Sequence, residues 1–180
     1  LFGRPDALSA ATPLAVMRSG GSVPTLDLLL GTRAGSIGES SVVLIAVAAV
    51  YLVATKTAQW RLIVSTLLGG AIVTGGLVVA GVARALPMDS LLAGSFLFVA
   101  VFMATDPVSA PKKKPAQWAY GLLIGVAVAV IRNFSLFPEG TSFALLLGNT
   151  FASLFERIAA DAAKRKAAKA AQATGGEAKP

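Results

Sequence analysis

The 180-residue chain contains neither cysteine nor histidine. The first absence excludes thiolate metal centres, iron–sulfur ligation by this chain and disulfide staples. The second leaves any haem to three methionines and two tyrosines, so a redox centre here is expected to be organic rather than metallic. Charge is scarce too: 14% of residues are charged and 55% hydrophobic, with a mean hydropathy of +0.72, whereas a soluble domain carries roughly 25% charged residues. This is the composition of a membrane protein. The net charge of +7 raises nucleic acid as a partner. The basic residues, however, sit in loops between apolar runs and in the tail, a pattern that belongs to membrane topology instead.

What the chain does have is five apolar runs that approach the roughly 20 residues needed to cross a hydrocarbon core about 30 Å thick. It opens on Leu1 rather than methionine and lacks the pattern of a cleavable signal peptide, so a piece of a longer protein is expected. Residues 1–35 hold Pro5, Pro13, Pro24 and the Gly20-Gly21 pair, which predict an irregular lead-in with a short interfacial turn over Val23 to Leu30. Ser36-Ile37-Gly38-Glu39 fits a capping box, placing the start of helix one near Ile37 and its end near Thr55. Helix two is expected from Trp60 to about Ala83, with Trp60 and Arg61 as an interfacial aromatic and a snorkelling cation. Helix three is expected over Asp89 to Thr105, helix four from Gln117 to Phe137, and helix five over Thr141 to Ile158.

The predicted fold class is therefore all-α: a polytopic membrane bundle of about five transmembrane helices. Its parts are a lead-in (1–35), a five-helix membrane domain (36–158) and a basic tail (159–180) read as a frayed, solvated helix grading into disorder around Gly175-Gly176. Helices three and four are short or interrupted by polar residues. Backbone that breaks at depth is tolerated only where protein or a water-filled cavity covers it, and transporter-like folds place their sites at such breaks.

Five passes put the two ends of the domain on opposite sides. Lys56, Arg61, Lys112 to Lys114, Arg157 and the tail cations then fall on one face, and Arg4, Arg18, Arg33, Arg84 and Arg132 on the other. The positive-inside tendency assigns the first face to the cytoplasm, with Lys112 to Lys114 as a topology determinant, and puts Thr12 outside. Gly69, Gly70, Gly75, Gly76 and the Gly121-x-x-x-Gly125 pair mark helix-packing faces; close approach of a ligand ring to the backbone is the alternative. Asp106, beside Pro107, reads either as a cation ligand or as a helix-terminating turn. Glu156 reads as an interfacial partner of Arg157 or a tail lysine. Arg132 and Asn133 are functional candidates as polar groups in a membrane segment, with snorkelling at the outer interface the expected role of Arg132.

Asp6-Ala7-Leu8-Ser9-Ala10-Ala11-Thr12 resembles the sequon at which a flavin transferase joins the phosphate of FMN to a threonine hydroxyl, Asp-Gly-x-Ser/Thr-Gly-Ala-Thr. Asp6, Ser9, Ala11 and Thr12 match it, while Ala7 and Ala10 replace its two glycines, and alanine resists positive φ. Further along stand Gly35-Ser36-Ile37-Gly38-Glu39, Phe102 through Ala110, Trp118-Ala119-Tyr120-Gly121, Ile131-Arg132, Pro138-Glu139-Gly140 and Leu154-Phe155-Glu156. Together, in this order, they resemble the family that comprises the B subunit of the sodium-translocating NADH:quinone oxidoreductase and the D subunit of the Rnf electron-transport complex.

The resemblance implies a fold of about ten helices in two inverted repeats, of which this chain looks like the second. It implies covalent FMN on Thr12 outside the cytoplasm, with riboflavin and quinone in the complete subunit. The implied partners are a flavin transferase, membrane lipid, quinone and the other subunits of a complex in the bacterial inner membrane, with the carboxy-terminal tail in the cytoplasm. FMN exchanges electrons singly and so joins one-electron to two-electron carriers. Asp106 and Glu156 become ion-pathway candidates, Glu156 standing where the family often has aspartate; no catalytic or metal-binding residue is implied. Because the same architecture is shared with urea-transporter-like channels, a non-redox channel or scaffold is the alternative. The choice between the NADH-linked and Rnf complexes stays open.

Overall fold

The computed structural model describes residues 13–18, 24–31, 41–82, 88–93, 95–135 and 140–175. Two short helices, α1 (Pro13–Arg18) and α2 (Thr25–Leu30), precede α3 (Val42–Ala54) and α4 (Trp60–Val79). A 3-10 turn over Met88–Leu91 and a one-turn α5 (Phe96–Phe98) that runs on as a π-helical turn, Val99–Met103, follow. Two long helices, α6 (Lys114–Phe134) and α7 (Gly140–Gly175), complete the order. No strand occurs among the described residues, and the all-α membrane bundle is the observed fold.

The organising contact is between α4 and α6. Leu62, Ser65, Thr66, Gly69, Gly70 and Thr74 form the buried stripe of α4. Gln117, Gly121, Gly125 and Ala129, with Tyr120, Ile124, Val128 and Arg132, form that of α6, the i, i+4 spacing that puts residues on one helix face. Small residues bring the two backbones together. A Cβ on Gly69 would lie 2.7 Å from the Leu122 carbonyl oxygen, and one on Gly125 would lie 2.7 Å from the Gly70 nitrogen and still nearer the Thr66 carbonyl oxygen. This is the small-residue packing expected between helices in lipid, where apolar burial alone does not drive association. Gly76 does not take part: a Cβ there would meet nothing within 4 Å. The buried hydroxyls of Ser65 and Thr66 donate to the Leu62 carbonyl at 3.1 and 2.8 Å, so neither is left unsatisfied away from water.

Ser65 faces Gly121 while Thr66 and Gly70 face Gly125, so α4 and α6 run parallel. The chain must cross back between them. It does so through the broken stretch that starts at Met88: Ser90 and Ala93 lie beside Arg132, near the far end of α6, and Pro111 lies beside Gln117, near its start. α7 returns antiparallel to α6, with Gly140 against Ile131 and Gly148 against Ile124 and Tyr120. α3 makes the remaining pass, since Ser41 at its start donates to Leu29 of the α2 segment and its far end turns directly into α4. The passes thus connect two ends, a lysine end (Lys56, Lys112 to Lys114) and an arginine end (Arg132).

Among the described residues five segments run between these ends, but not all in the form expected. Only Trp60–Val79, Lys114–Phe134 and Gly140–Lys169 are long and apolar enough, among the described residues, to cross a membrane by length and composition. α3 has 13 residues, about 20 Å at 1.5 Å per residue. Its described start is Val42, capped by the Ser41 hydroxyl at 3.4 Å from the Leu44 nitrogen, not Ile37; the proposed box at Ser36 and Glu39 lies outside the described residues. The helix expected over Asp89 to Thr105 is the broken stretch instead. Helix four begins at Lys114, and the helix expected to stop at Ile158 continues to Gly175. The helix expected to fray through the tail thus runs on to Gly175. Its Ala159-Ala160, Ala162-Ala163, Ala167-Ala168 and Ala170-Ala171 pairs and interspersed lysines are strong helix formers, and residues 161–169 are exposed.

Candidate functional site

At the arginine end, Arg132 projects from the last turns of α6 into the bundle and is 3% exposed. Its Nη1 donates to the carbonyls of Ser90 at 2.8 Å and Ala93 at 3.1 Å, and its guanidinium lies 5.7 Å from the centre of the Phe96 ring. These are carbonyls that a continuous helix would have satisfied internally. Where the backbone leaves the α-helical ladder in a membrane, something must replace those bonds, and Arg132 does so together with the Ala93 N–H, which donates to the Ser90 carbonyl at 3.3 Å. The snorkelling role expected for it is corrected: the side chain is buried against the break. Ser95 and Thr141 tie the same stretch to the start of α7, their hydroxyls 2.5 Å apart.

α1 and α2 pack at this end too, with Leu14, Met17 and Leu28 forming a buried cluster with Ala93. Beside them opens an apolar cavity of about 430 Å³, walled by Leu30, Gly31, Ser41, Leu44, Ile45, Phe98 and Phe102. The Phe98 and Phe102 rings lie 4.9 Å apart, tilted by 41°. Their i, i+4 spacing follows from one turn of the helical stretch on which they sit.

At the lysine end, Gln117 of α6 is buried and holds two connections at once. Its amide nitrogen donates to the Gln59 side chain at 2.9 Å, before α4, and to the carbonyls of Pro111 and Lys112 at 3.1 and 3.3 Å, before α6. The Tyr120 hydroxyl meets the Asn149 side-chain oxygen at 2.6 Å, joining α6 to α7. Beyond it lies a polar cleft of about 300 Å³ between Val108 to Lys112 and the α7 face that carries Asn149, Ser153 and Glu156.

The sequon residues Asp6, Ser9, Ala11 and Thr12 lie outside the described residues. Asp106 and Glu156 both fall at the lysine end, in different roles. The Asp106 carboxylate accepts from the Ser109 hydroxyl and from the backbone nitrogens of Val108 at 3.3 Å and Ser109 at 3.2 Å, closing the turn after the broken stretch. The Ser109 hydroxyl first, and then the Val108 N–H, hold its carboxyl below the ordinary value. Glu156 accepts from the backbone nitrogen of Lys112 at 3.0 Å and walls the cleft. Lys56, Arg61, Lys112 to Lys114 and Arg157 sit at this same end, as their assignment to one face requires. The links made by Gln117, Tyr120 and Asn149 are not among the sequence expectations. The available signal was a polar residue on the small-residue face of a membrane helix.

The parallel pair, the broken return pass and the buried arginine that holds it define a polytopic helical membrane protein with an interrupted span. The chain belongs to the NQR2, RnfD, RnfE family, whose model matches residues 2–164. It is similar to the B subunit of the Na(+)-translocating NADH-quinone reductase of Azotobacter vinelandii, 36% identical over 171 residues, which cover 87% of this chain and 42% of that protein. The protein of the same name from Klebsiella pneumoniae strain 342 is 36% identical over 175 residues, again 87% of this chain and 42% of the relative. That of Pseudoalteromonas atlantica is 36% identical over 167 residues, covering 86% and 41%. The chain thus spans about two fifths of the length of the curated relatives it matches.

Proposed function

We propose that this chain is the flavin-bearing part of a membrane redox subunit: FMN is esterified through its phosphate to Thr12, and electrons pass by way of it within an ion-translocating NADH:quinone or Rnf-type oxidoreductase. The observation that carries this reading is the sequon, Asp6 to Thr12, in a chain whose relatives are named as the B subunit of such a reductase. FMN supplies exchange between one-electron and two-electron carriers. The apolar cavity at the arginine end is of a size to take a flavin ring. Its volume of about 430 Å³ lies within the range of small-molecule sites, and Phe98, Phe102, Leu44 and Ile45 would hold the ring by its faces. α1 begins at Pro13, directly after Thr12, and packs on Ala93 at that end, away from Lys112 to Lys114. With the lysine end cytoplasmic by the positive-inside tendency, attachment is extracytoplasmic, in the plasma membrane of a bacterium.

The other subunits of the complex, the flavin transferase and quinone are the partners this reading requires. Glu156 and Asp106 stand at the cytoplasmic mouth as ion-pathway candidates, Glu156 with its side chain on the cleft and Asp106 in the turn behind it. The test is coexpression with a flavin transferase. The denatured band of the wild type should fluoresce under ultraviolet light and that of Thr12→Ala should not; a dark wild-type band sinks the proposal.

A further inference from the structure

Trp60 and Trp118 are the two tryptophans of the sequence, and the fold brings them together at the lysine end. Their rings are 6.4 Å apart and nearly perpendicular, at 89°. The pairing follows from the parallel run of α4 and α6, since Trp60 opens one helix and Trp118 lies in the first turns of the other. Gln117 fixes it by holding the connections that enter both helices. The Arg61 guanidinium lies 5.0 Å from the centre of the Trp60 ring. Lys114 stands one turn before Trp118, at the i, i+4 position that shares its face, and its side chain is exposed.

The corner therefore presents two tryptophan rings flanked by two cations. Lys56, Lys112 and Lys113 belong to the same end. The carboxylates of Asp106 and Glu156 are engaged elsewhere, Asp106 with Ser109 and Val108 and Glu156 with the Lys112 backbone. Tryptophan rings settle at the depth of lipid headgroups, and cations on long stems beside them extend to the phosphate level. Anionic headgroups draw basic residues that lie within a Debye length of the surface. A ligand suited to this corner carries a phosphate with net negative charge and acyl chains that lie along the exposed flank of the helices.

We propose that Arg61, Lys114 and the Trp60–Trp118 pair form a binding site for the phosphate of an anionic phospholipid, independent of the redox reading. The test uses tryptophan emission from the purified full-length protein in vesicles, taken as the difference from the Trp60→Phe/Trp118→Phe variant so that it reports this corner. Phosphatidylglycerol brominated on its acyl chains should quench at a mole fraction about tenfold lower than brominated phosphatidylcholine. Arg61→Gln/Lys114→Gln should abolish that preference, each single change should reduce it, and Lys164→Gln/Lys166→Gln/Lys169→Gln on the exposed tail should leave it intact. Free inorganic phosphate added to phosphatidylglycerol vesicles should not relieve the quenching. Equal quenching by both lipids in the wild type, an unchanged preference in Arg61→Gln/Lys114→Gln, loss of preference in the tail variant, or relief by free phosphate would each overturn the site.

Discussion

The α4–α6 pair and the broken stretch from Met88 to Met103 lie in the same bundle and are held by opposite means. The pair is held by what its residues lack: Gly69, Gly121 and Gly125 have no side chain, so backbones meet. The broken stretch is held by side chains from elsewhere: Arg132, which reaches carbonyls 39 and 42 positions earlier in the chain, and Thr141, whose hydroxyl meets that of Ser95. Shape complementarity builds the rigid part of the bundle. Where the ladder is interrupted, hydrogen bonds must be imported.

The largest effect is expected where the pair is broken directly. Gly125→Val inserts a branched side chain against the backbones of Thr66 and Gly70, which cannot yield as a flexible side chain would, and should cost about 3 kcal/mol or more. Gly76→Val, on the same α4 but facing open space, should change stability by less than about 0.5 kcal/mol. Thermal unfolding in detergent compares the two, and equal losses would refute the packing account.

Arg132→Met comes next. It leaves the Ser90 and Ala93 carbonyls without these donors and should cost about 2 kcal/mol, concentrated at the break. Amide hydrogen exchange should rise within residues 88–103 while the α4–α6 interface keeps its protection. Uniform loss across the bundle would mean that the two regions are not separable.

The smallest effect concerns the turn that closes the broken stretch. Because hydrogen bonds from Ser109 and Val108 depress the Asp106 carboxyl in the folded state, their contribution is fully present above the ordinary carboxylate value and is lost as pH falls through the lowered one. The Val108 and Ser109 amides should therefore stay protected at neutral pH and open only in acid. Ser109→Ala should move that onset to higher pH, and Asp106→Asn should remove the pH dependence. A profile identical in all three proteins would show that Asp106 does not hold the turn.

The same contrast explains what the sequence disclosed. α4 and α6 were legible because the reasons for them are local: long apolar runs, small residues at helical spacing and Trp60 at a membrane interface. That the third span is short and interrupted was legible as well, but what holds the interruption was not. Its cause lies in Arg132 and in the Ser95–Thr141 contact, which become neighbours only after folding. Arg132 stands out in the sequence, but Pro138 suggests a helix end nearby and so a place at the interface; the burial that changes its role is a tertiary fact. For 159–175, the helix propensity of alanine and lysine points to the helix that is found. Of the site, the lysine-end cations and Glu156 were legible by position, whereas the Gln117 and Tyr120–Asn149 links depend on pairings between distant segments. Thr12 stands on its motif.

Intact-mass analysis of the protein coexpressed with a flavin transferase tests the central claim most directly. The account predicts a mass raised by one FMN less one water, located on the peptide that contains Thr12 and absent in Thr12→Ala. A wild-type mass equal to that of the bare polypeptide would contradict it.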